Sequence, residues 1–360
     1  MRVALIISLI LTVLFIIGIA GYRTSTAGEQ AFIPWGMMVV GYVFFALASG
    51  GVFDSMAIRL YLIGDKKLEG EARIVSWSAL ALLVPGVILV FSDILHPLAS
   101  YHFYTGFNPE SRIAWNAVLY LIYGGALILY IVLVLRDGVY GRAKIVGLIA
   151  LAASLLLEAN LGMAYGVNIA VPAWYASMAP ILFISASLAL GSAFTIIIAR
   201  LDSLGDHVGE GYSRELRYAL VAFIFVVGWS LVSMASWGDA RLVAEEILVG
   251  SVAPVFWVIT VLLGVVTPVI LSRRAPLPAA LLAILGIAVF LSIPFNYTPQ
   301  AVRLEANPLY NLLAEGAEYT PGIAGYLTTP ETLAFIGGLG VWLLVQLVGR
   351  RVFEGILKQG

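Results

Sequence analysis

The chain has 360 residues, of which 61% are apolar and only 11% charged, with a net charge of −1. So little charge cannot cover a water-facing surface, which excludes a soluble globular fold, intrinsic disorder and nucleic-acid binding and leaves one polytopic membrane protein. With no cysteine in the sequence, disulfides, thiolate zinc sites, cysteine-held iron–sulfur clusters and thioether-linked haem are excluded as well.

About 20 apolar residues cross a bilayer as a helix. Taken in chain order, the runs 3–20, 34–62, 74–95, 116–135, 145–165, 178–199, 218–236, 248–271, 279–294 and 331–349 predict ten spans, the ninth being the shortest. The fold class is therefore all-α, with about ten transmembrane helices. The first run has signal-peptide traits, namely Arg2, an apolar core and the small residues Gly18, Ala20 and Gly21. We read it as a retained helix. The small-residue groups Ala186, Leu190 and Gly191 and Gly337, Gly338 and Gly340 predict close helix packing. None of the three histidines, His96, His102 and His207, falls at mid-membrane depth, so a bis-histidine haem is not expected, nor any other metal site.

Lys and Arg set the orientation. With the amino terminus inside, fifteen of the twenty basic residues fall on inner segments and four on outer ones. Arg59 lies near the inner end of the second span, where it can snorkel. Both termini are expected to face the cytoplasm. The outer segments 96–115, 166–177 and 295–330 are long, aromatic and rich in Pro and Gly, with turns expected at Tyr297-Thr298-Pro299 and Tyr319-Thr320-Pro321. Acids such as Glu29, Glu110, Asp239, Glu305 and Glu315 outnumber bases there. Long loops gathered on one side suggest a docking surface for an extracytoplasmic partner.

Three acids lie inside the spans: Asp54, Asp93 and Glu158. Each costs about 2.5–3.5 kcal/mol on insertion scales, which makes it a functional candidate. At about 1.5 Å per residue, Asp54 falls in the inner half, Glu158 in the outer half and Asp93 near the outer face. Such a staircase of carboxyls could relay protons; equally, each acid could cap a hydrogen-bond network between helices. Asp93 has company in the stretch 92–115, which contains His96, Tyr101, His102, Tyr104, Asn108, Ser111 and Arg112. On a helix Asp93 and His96 are three residues apart and share a face, and Pro97 then ends the helix. A carboxylate beside an imidazole at a membrane interface suits a two-oxygen redox ligand that exchanges protons, and a quinone fits. The tyrosines also suit an aromatic belt.

Four places in the sequence resemble the NrfD/PsrC family of quinone-interacting membrane subunits of polysulfide-reductase-like complexes. Pro34-Trp35-Gly36 opens the second span as a Trp-Gly pair does in the family, and Gly50-Gly51 follows. Asp93-Ile94-Leu95-His96-Pro97 is similar to the family's Asp-Leu-Gly-Arg-Pro segment, with Asn108-Pro109, Ser111 and Trp115 beyond it. Pro172-Ala173-Trp174, then Pro180-Ile181-Leu182-Phe183, Ser187 and Gly191, resemble its Arg-Pro-x-Trp loop and following helix. His96 and Val171 stand where arginine is usual. The likeness runs over roughly 34–195.

The resemblance implies two four-helix bundles with flanking helices in a prokaryotic cytoplasmic membrane. It implies a division into a first helix and loop (1–33), a quinone-binding bundle (34–177), a second bundle (178–294) and a last loop, helix and tail (295–360). Menaquinol or a similar quinone would bind near the outer face, with Asp93 and His96 as the proton-exchanging residues and Trp35, Tyr101 and Asn108 nearby; Asp54 and Glu158 would form a proton path. An iron–sulfur subunit would dock there, with a molybdopterin catalytic subunit above it, in a reductase of sulfur compounds. This chain would hold no haem and no cluster. Two other classes compete. Buried acids with Pro85-Gly86, Pro254 and Pro268 also suit an ion-coupled secondary transporter, and Asp93, Glu110 and Arg112 are a thin version of a lipid-modifying site.

Overall fold

Inside a bilayer only a helix or a closed barrel satisfies every backbone donor and acceptor, and apolar runs of about 20 residues fold as helices. The structure, a computed structural model, describes residues 2–25, 35–94, 96–204, 206–305, 322–327 and 329–357, and among these it contains helices and turns but no strand. The helices are α1 (Arg2–Ser25), α2 (Met37–Ala57), α3 (Ala72–Asp93), α4 (Arg112–Asp137), α5 (Arg142–Gly166), α6 (Ala179–Leu201), α7 (Asp206–Ala235), α8 (Val255–Leu271), α9 (Pro276–Phe290) and α10 (Pro330–Leu357). Among the described residues nine helices are long and apolar enough to cross a membrane, and α8 is a shorter apolar helix.

The short span is thus the eighth rather than the ninth. α9 runs on through a wide turn at Leu291–Tyr297 into Thr298–Glu305. Pro294 lies inside that turn. A proline removes one backbone donor, and a local widening of the helix absorbs the loss without breaking the run. Tyr297-Thr298-Pro299, expected as a loop turn, is therefore helical. The expected turn at Tyr319-Thr320-Pro321 and the acids Glu29 and Glu315 lie outside the described residues.

Helices α2, α3, α4 and α5 pack as one four-helix bundle, and α6, α7, α8 and α9 as a second. α2 and α5 both pack on α6, which joins the two. α1 lies along α10, and the pair flanks α2 and α3. Burial follows this plan: the apolar window of α2 is 94% buried within the protein and that of α1 only 17%. Glycines set the closest approaches. A Cβ on Gly191 of α6 would land on the Gly51 carbonyl of α2, and one on Gly337 of α10 would meet the α1 backbone at Phe15. The small-residue groups are packing contacts, as their spacing predicts.

Alternate helices run in opposite directions, so the chain has two unlike ends. One carries the long segments 94–111, 166–178 and 236–254 together with the extension of α9; the other carries short turns with Lys66, Lys67, Arg142, Arg273 and Arg274. At the basic end Arg350 Nη1 donates to the Leu201 carbonyl (2.6 Å) and Gln346 Nε2 to Asp202 Oδ2 (2.7 Å), which ties α10 to α6.

Gly191→Ala is expected to destabilise the chain by about 1–3 kcal/mol through overpacking at the seam between the bundles. Gly228→Ala, whose Cβ meets open space, is expected to leave the thermal-unfolding midpoint in detergent unchanged or slightly higher. Equal midpoints for the two variants would contradict the seam.

Candidate functional site

Asp93 is the last residue of α3. Four carbonyls at a helix end lack partners within the helix, and here another helix supplies one. Arg23 of α1 donates through Nη2 to the carbonyls of Phe91 (3.3 Å) and Ile94 (3.0 Å). Its neighbour Tyr22 donates from Oη to Asp93 Oδ1 (2.8 Å). Ile94 is already extended, with φ −67° and ψ 126°. The helix thus stops before Pro97 is reached, and Pro97 instead opens a short 3₁₀ turn, Pro97–Ala99. This corrects the sequence reading: Asp93 and His96 do not share a helix face. His96 lies beyond the helix end and is exposed, and its imidazole makes no hydrogen bond among the described residues. Asp93 is half-buried, and its Oδ2 has no hydrogen-bond partner among the described residues.

Trp35 precedes α2 and is half-buried. Its ring stacks on Trp174 (centroids 4.9 Å, planes 24° apart) and meets Tyr165 edge-on at 4.5 Å. Its backbone is clamped by the α9 extension: Trp35 N–H donates to Gln300 Oε1 (3.1 Å), and its carbonyl accepts from Gln300 Nε2 (3.1 Å) and Asn296 Nδ2 (2.5 Å). Asn296 Nδ2 also donates to Tyr326 Oη (3.0 Å), while Tyr165 Oη donates to Asn296 Oδ1 (3.3 Å). Tyr42 and Tyr165 lie within electrostatic range of Asp93.

Glu331, in the first turn of α10, completes this rim and was missed from sequence. It is 5% exposed and accepts a hydrogen bond from the Met38 backbone N–H (2.9 Å), so it caps the amino end of α2 from another helix. A Cβ on Gly36 would strike its carboxylate. The available signal was an acid directly after Pro330 at the head of an apolar run. Asn296 and Gln300 were hidden because 295–330 reads as loop.

The remaining predicted rim residues stand apart. Tyr101 is exposed and its ring lies against His102 (4.1 Å). Asn108 is exposed and its Oδ1 accepts from the Glu110 N–H (2.9 Å), a local turn. No contact joins either side chain to Asp93 among the described residues.

Asp54 and Glu158 are 0% and 1% exposed. The staircase reading puts them on successive levels; the structure sets them side by side, with Ser154 between α2 and α5. Counting residues from each helix start ignores the offset of one helix along the other. Ser187 of α6 donates to Glu158 Oε1 and, at 3.0 Å, to the Leu47 carbonyl. A Cβ on Gly50 would fill the space that Glu158 Oε1 and Ser154 Oγ occupy. Neither Asp54 oxygen makes a protein hydrogen bond of ordinary geometry. On the basic side lies a further acid that the sequence reading did not single out, Glu215, beside Ser55, Ser192 and Arg59. Arg59 pairs with Asp65 (2.7 Å) and sits over the Tyr212 ring (4.5 Å). Glu215 falls outside the seventh apolar run, which begins at 218, whereas α7 begins at Asp206.

Gly36→Ala is expected to displace the Glu331 carboxylate and uncap α2, at about 0.5–2 kcal/mol. Thermal unfolding of Gly36→Ala alone and combined with Glu331→Gln checks this. The losses should be less than additive if the two residues meet as described.

Comparison with known proteins agrees with this architecture. Over an alignment covering 88% of this chain and 84% of the other, the sequence is 22% identical to a selenate reductase subunit of Mesobacillus selenatarsenatis. It is 23% identical to an Hdr-like menaquinol oxidoreductase integral membrane subunit of Archaeoglobus fulgidus, covering 92% of this chain and 87% of that one. It is 24% identical to a tetrathionate reductase subunit of Salmonella typhimurium, covering 92% and 94%. A profile of the family described as polysulphide reductase, NrfD, matches residues 24–294, well over half the sequence, and the chain belongs to that family.

Proposed function

We propose that this chain is the quinone-exchanging membrane subunit of an oxidoreductase complex. It links the membrane quinone pool to an iron–sulfur subunit docked on the long-loop end, with a molybdopterin catalytic subunit beyond it. The acceptor is a sulfur compound of the polysulfide or tetrathionate kind, and the quinone is menaquinone or a close relative. Support comes from the family membership and from relatives named as a menaquinol oxidoreductase and as tetrathionate and selenate reductases. The charge bias supports placing the basic end and both termini in the cytoplasm, with the long-loop end outside.

The observation that carries this reading is the Tyr22–Asp93 pair at the membrane rim. The donor set fits a headgroup with two oxygens. Asp93 keeps Oδ2 for a ligand, His96 offers a solvent-facing imidazole, and Trp35 gives a flat wall fixed by Trp174 and Tyr165. Tyr101 and Asn108 belong to the exposed approach to this rim. A bound quinol supplies two electrons and two protons. Tyr22 holds the Asp93 carboxyl in one orientation through Oδ1, so Oδ2 is the atom that takes up a proton. The His96 imidazole passes protons to the outer water. The sequence contains no cysteine to hold a cluster, so electrons leave directly to the partner.

Inward proton movement is the second part of the proposal. Asp54 and Glu158, with Ser154 and Ser187, form its midpoint, and Glu215 with Arg59 continues it toward the basic end. An ion-coupled transporter is the weaker reading. Such sites are built from interrupted helices, and α3 runs unbroken through Pro85.

In the assembled complex, Asp93→Asn is expected to lower quinol oxidation by about 10²–10⁴-fold while reduction of the acceptor by an artificial electron donor is kept. Unchanged quinol turnover, with no quinone copurifying, would sink the assignment. Glu158→Gln is expected to leave quinol oxidation within about a factor of ten of normal while abolishing proton release at the basic side in proteoliposomes. Intact release in that variant would remove Glu158 from any path.

A further inference from the structure

At the basic end of the second bundle, the ends of α6 and α7 and the turn between α8 and α9 line an open cavity of about 1020 Å³. Five arginines line it: Arg200 from α6, Arg214 and Arg217 from α7, and Arg273 and Arg274 from the turn. Among the described residues a single acid, Glu210, lines it with them. None of the five arginines forms an ion pair among the described residues. The Arg217 Nε is buried and hydrogen-bonded to nothing among them.

The preference for basic residues on the cytoplasmic side accounts for arginines at this end. It does not account for their convergence, because cations drawn from three elements around one cavity repel each other and raise its potential. A guanidinium presents paired donors that match a phosphate oxygen pair. The surroundings indicate where such a phosphate comes from. One helical turn toward the bilayer centre from Arg217 and Arg273 lie Val221 and Ile270, which are 54% and 70% exposed, and Tyr218 beside them is 70% exposed. Arginines at headgroup level with an apolar surface one turn deeper match a phospholipid, whereas a soluble phosphate has no use for the apolar part.

We infer that this cavity binds a phosphate-bearing anion, and that the anion is the headgroup of an anionic phospholipid. Five guanidinium groups favour a headgroup with two phosphates over one with a single phosphate. The inference does not depend on the proposed function, since it uses none of the rim or midplane residues.

The test uses the full chain in detergent, with lipid binding followed by native mass spectrometry. Diphosphatidylglycerol is expected to bind and to resist detergent exchange, and phosphatidylcholine is not. Arg214→Gln/Arg273→Gln/Arg274→Gln is expected to weaken diphosphatidylglycerol on the order of 100-fold. The control Arg136→Gln/Lys144→Gln, at the same end but outside the cavity, is expected to change it little. Should the triple variant fail to fold, the exposed single change Arg274→Gln carries the test, with a loss of about fivefold. Equal binding by the variants, or an equal loss in the control, overturns the site. Displacement of the lipid by millimolar inorganic phosphate assigns the cavity to a soluble anion and overturns the lipid.

Discussion

Gly51 and Gly191 let the α2 and α6 backbones approach so closely that a single methyl on Gly191 would occupy carbonyl space. In lipid, apolar surface does not drive helices together as it does in water, so backbone contact and interhelical hydrogen bonds must hold them. That contact brings Ser187 within 3.0 Å of the Leu47 carbonyl and against Glu158. It also fixes the height of α2, and α2 carries both polar regions: Trp35 and Gly36 at its head and Asp54 within it. If the seam opened, the rim and the midplane cluster would lose register together.

The composition of α2 makes sense in this light. Its mean hydropathy of 1.6 is the lowest of the nine long spans among the described residues, yet 94% of its apolar window is buried within the protein. A helix with no lipid-facing side can carry serine, glycine and aspartate, because neighbouring helices rather than hydrocarbon surround them. α1 shows the opposite case, with a hydropathy of 3.1 and 17% of its window buried. The most polar span is thus the central one, and the most apolar is the one on the flank.

The sequence was informative wherever the physics is local. Run length predicted the helices, and the twofold bundle plan followed from the resemblance. The acids at 54, 93 and 158 stood out because each is expensive in a span. What it hid depends on partners distant in the chain. The end of α3 at Asp93 rather than at Pro97 is set by Arg23, some seventy residues away. The adjacency of Asp54 and Glu158 follows from a helix offset that residue counting cannot supply. The reach of α9 past Pro294 needs a widened turn that no turn-residue rule anticipates, and Asn296 and Gln300, which clamp Trp35, were hidden with it. Glu331 sat in plain view at the head of a span, where an acid reads as helix-start chemistry rather than as the cap of a different helix.

The rim draws on residues from both sides of the segment that the family profile matches. The family match spans 24–294 and includes Asp93 and Trp35. Tyr22 and Arg23 precede it, and Gln300, Tyr326 and Glu331 follow it. A half-buried carboxyl needs a donor, and a tryptophan backbone outside any helix needs partners for its amide and carbonyl. Both needs are met from outside the matched core: by α1 for Asp93, and by Gln300 of the α9 extension, together with Asn296, for Trp35. Gly18 and Gly337 bring α1 and α10 together tightly enough to hold Tyr22 beside Asp93 while Glu331 caps α2. The flanking pair is therefore part of the candidate site rather than an anchor added to it. The alignment of Asp93 by the Tyr22 phenol, and the capping of α2 by Glu331, rest on residues outside the segment that the family profile matches.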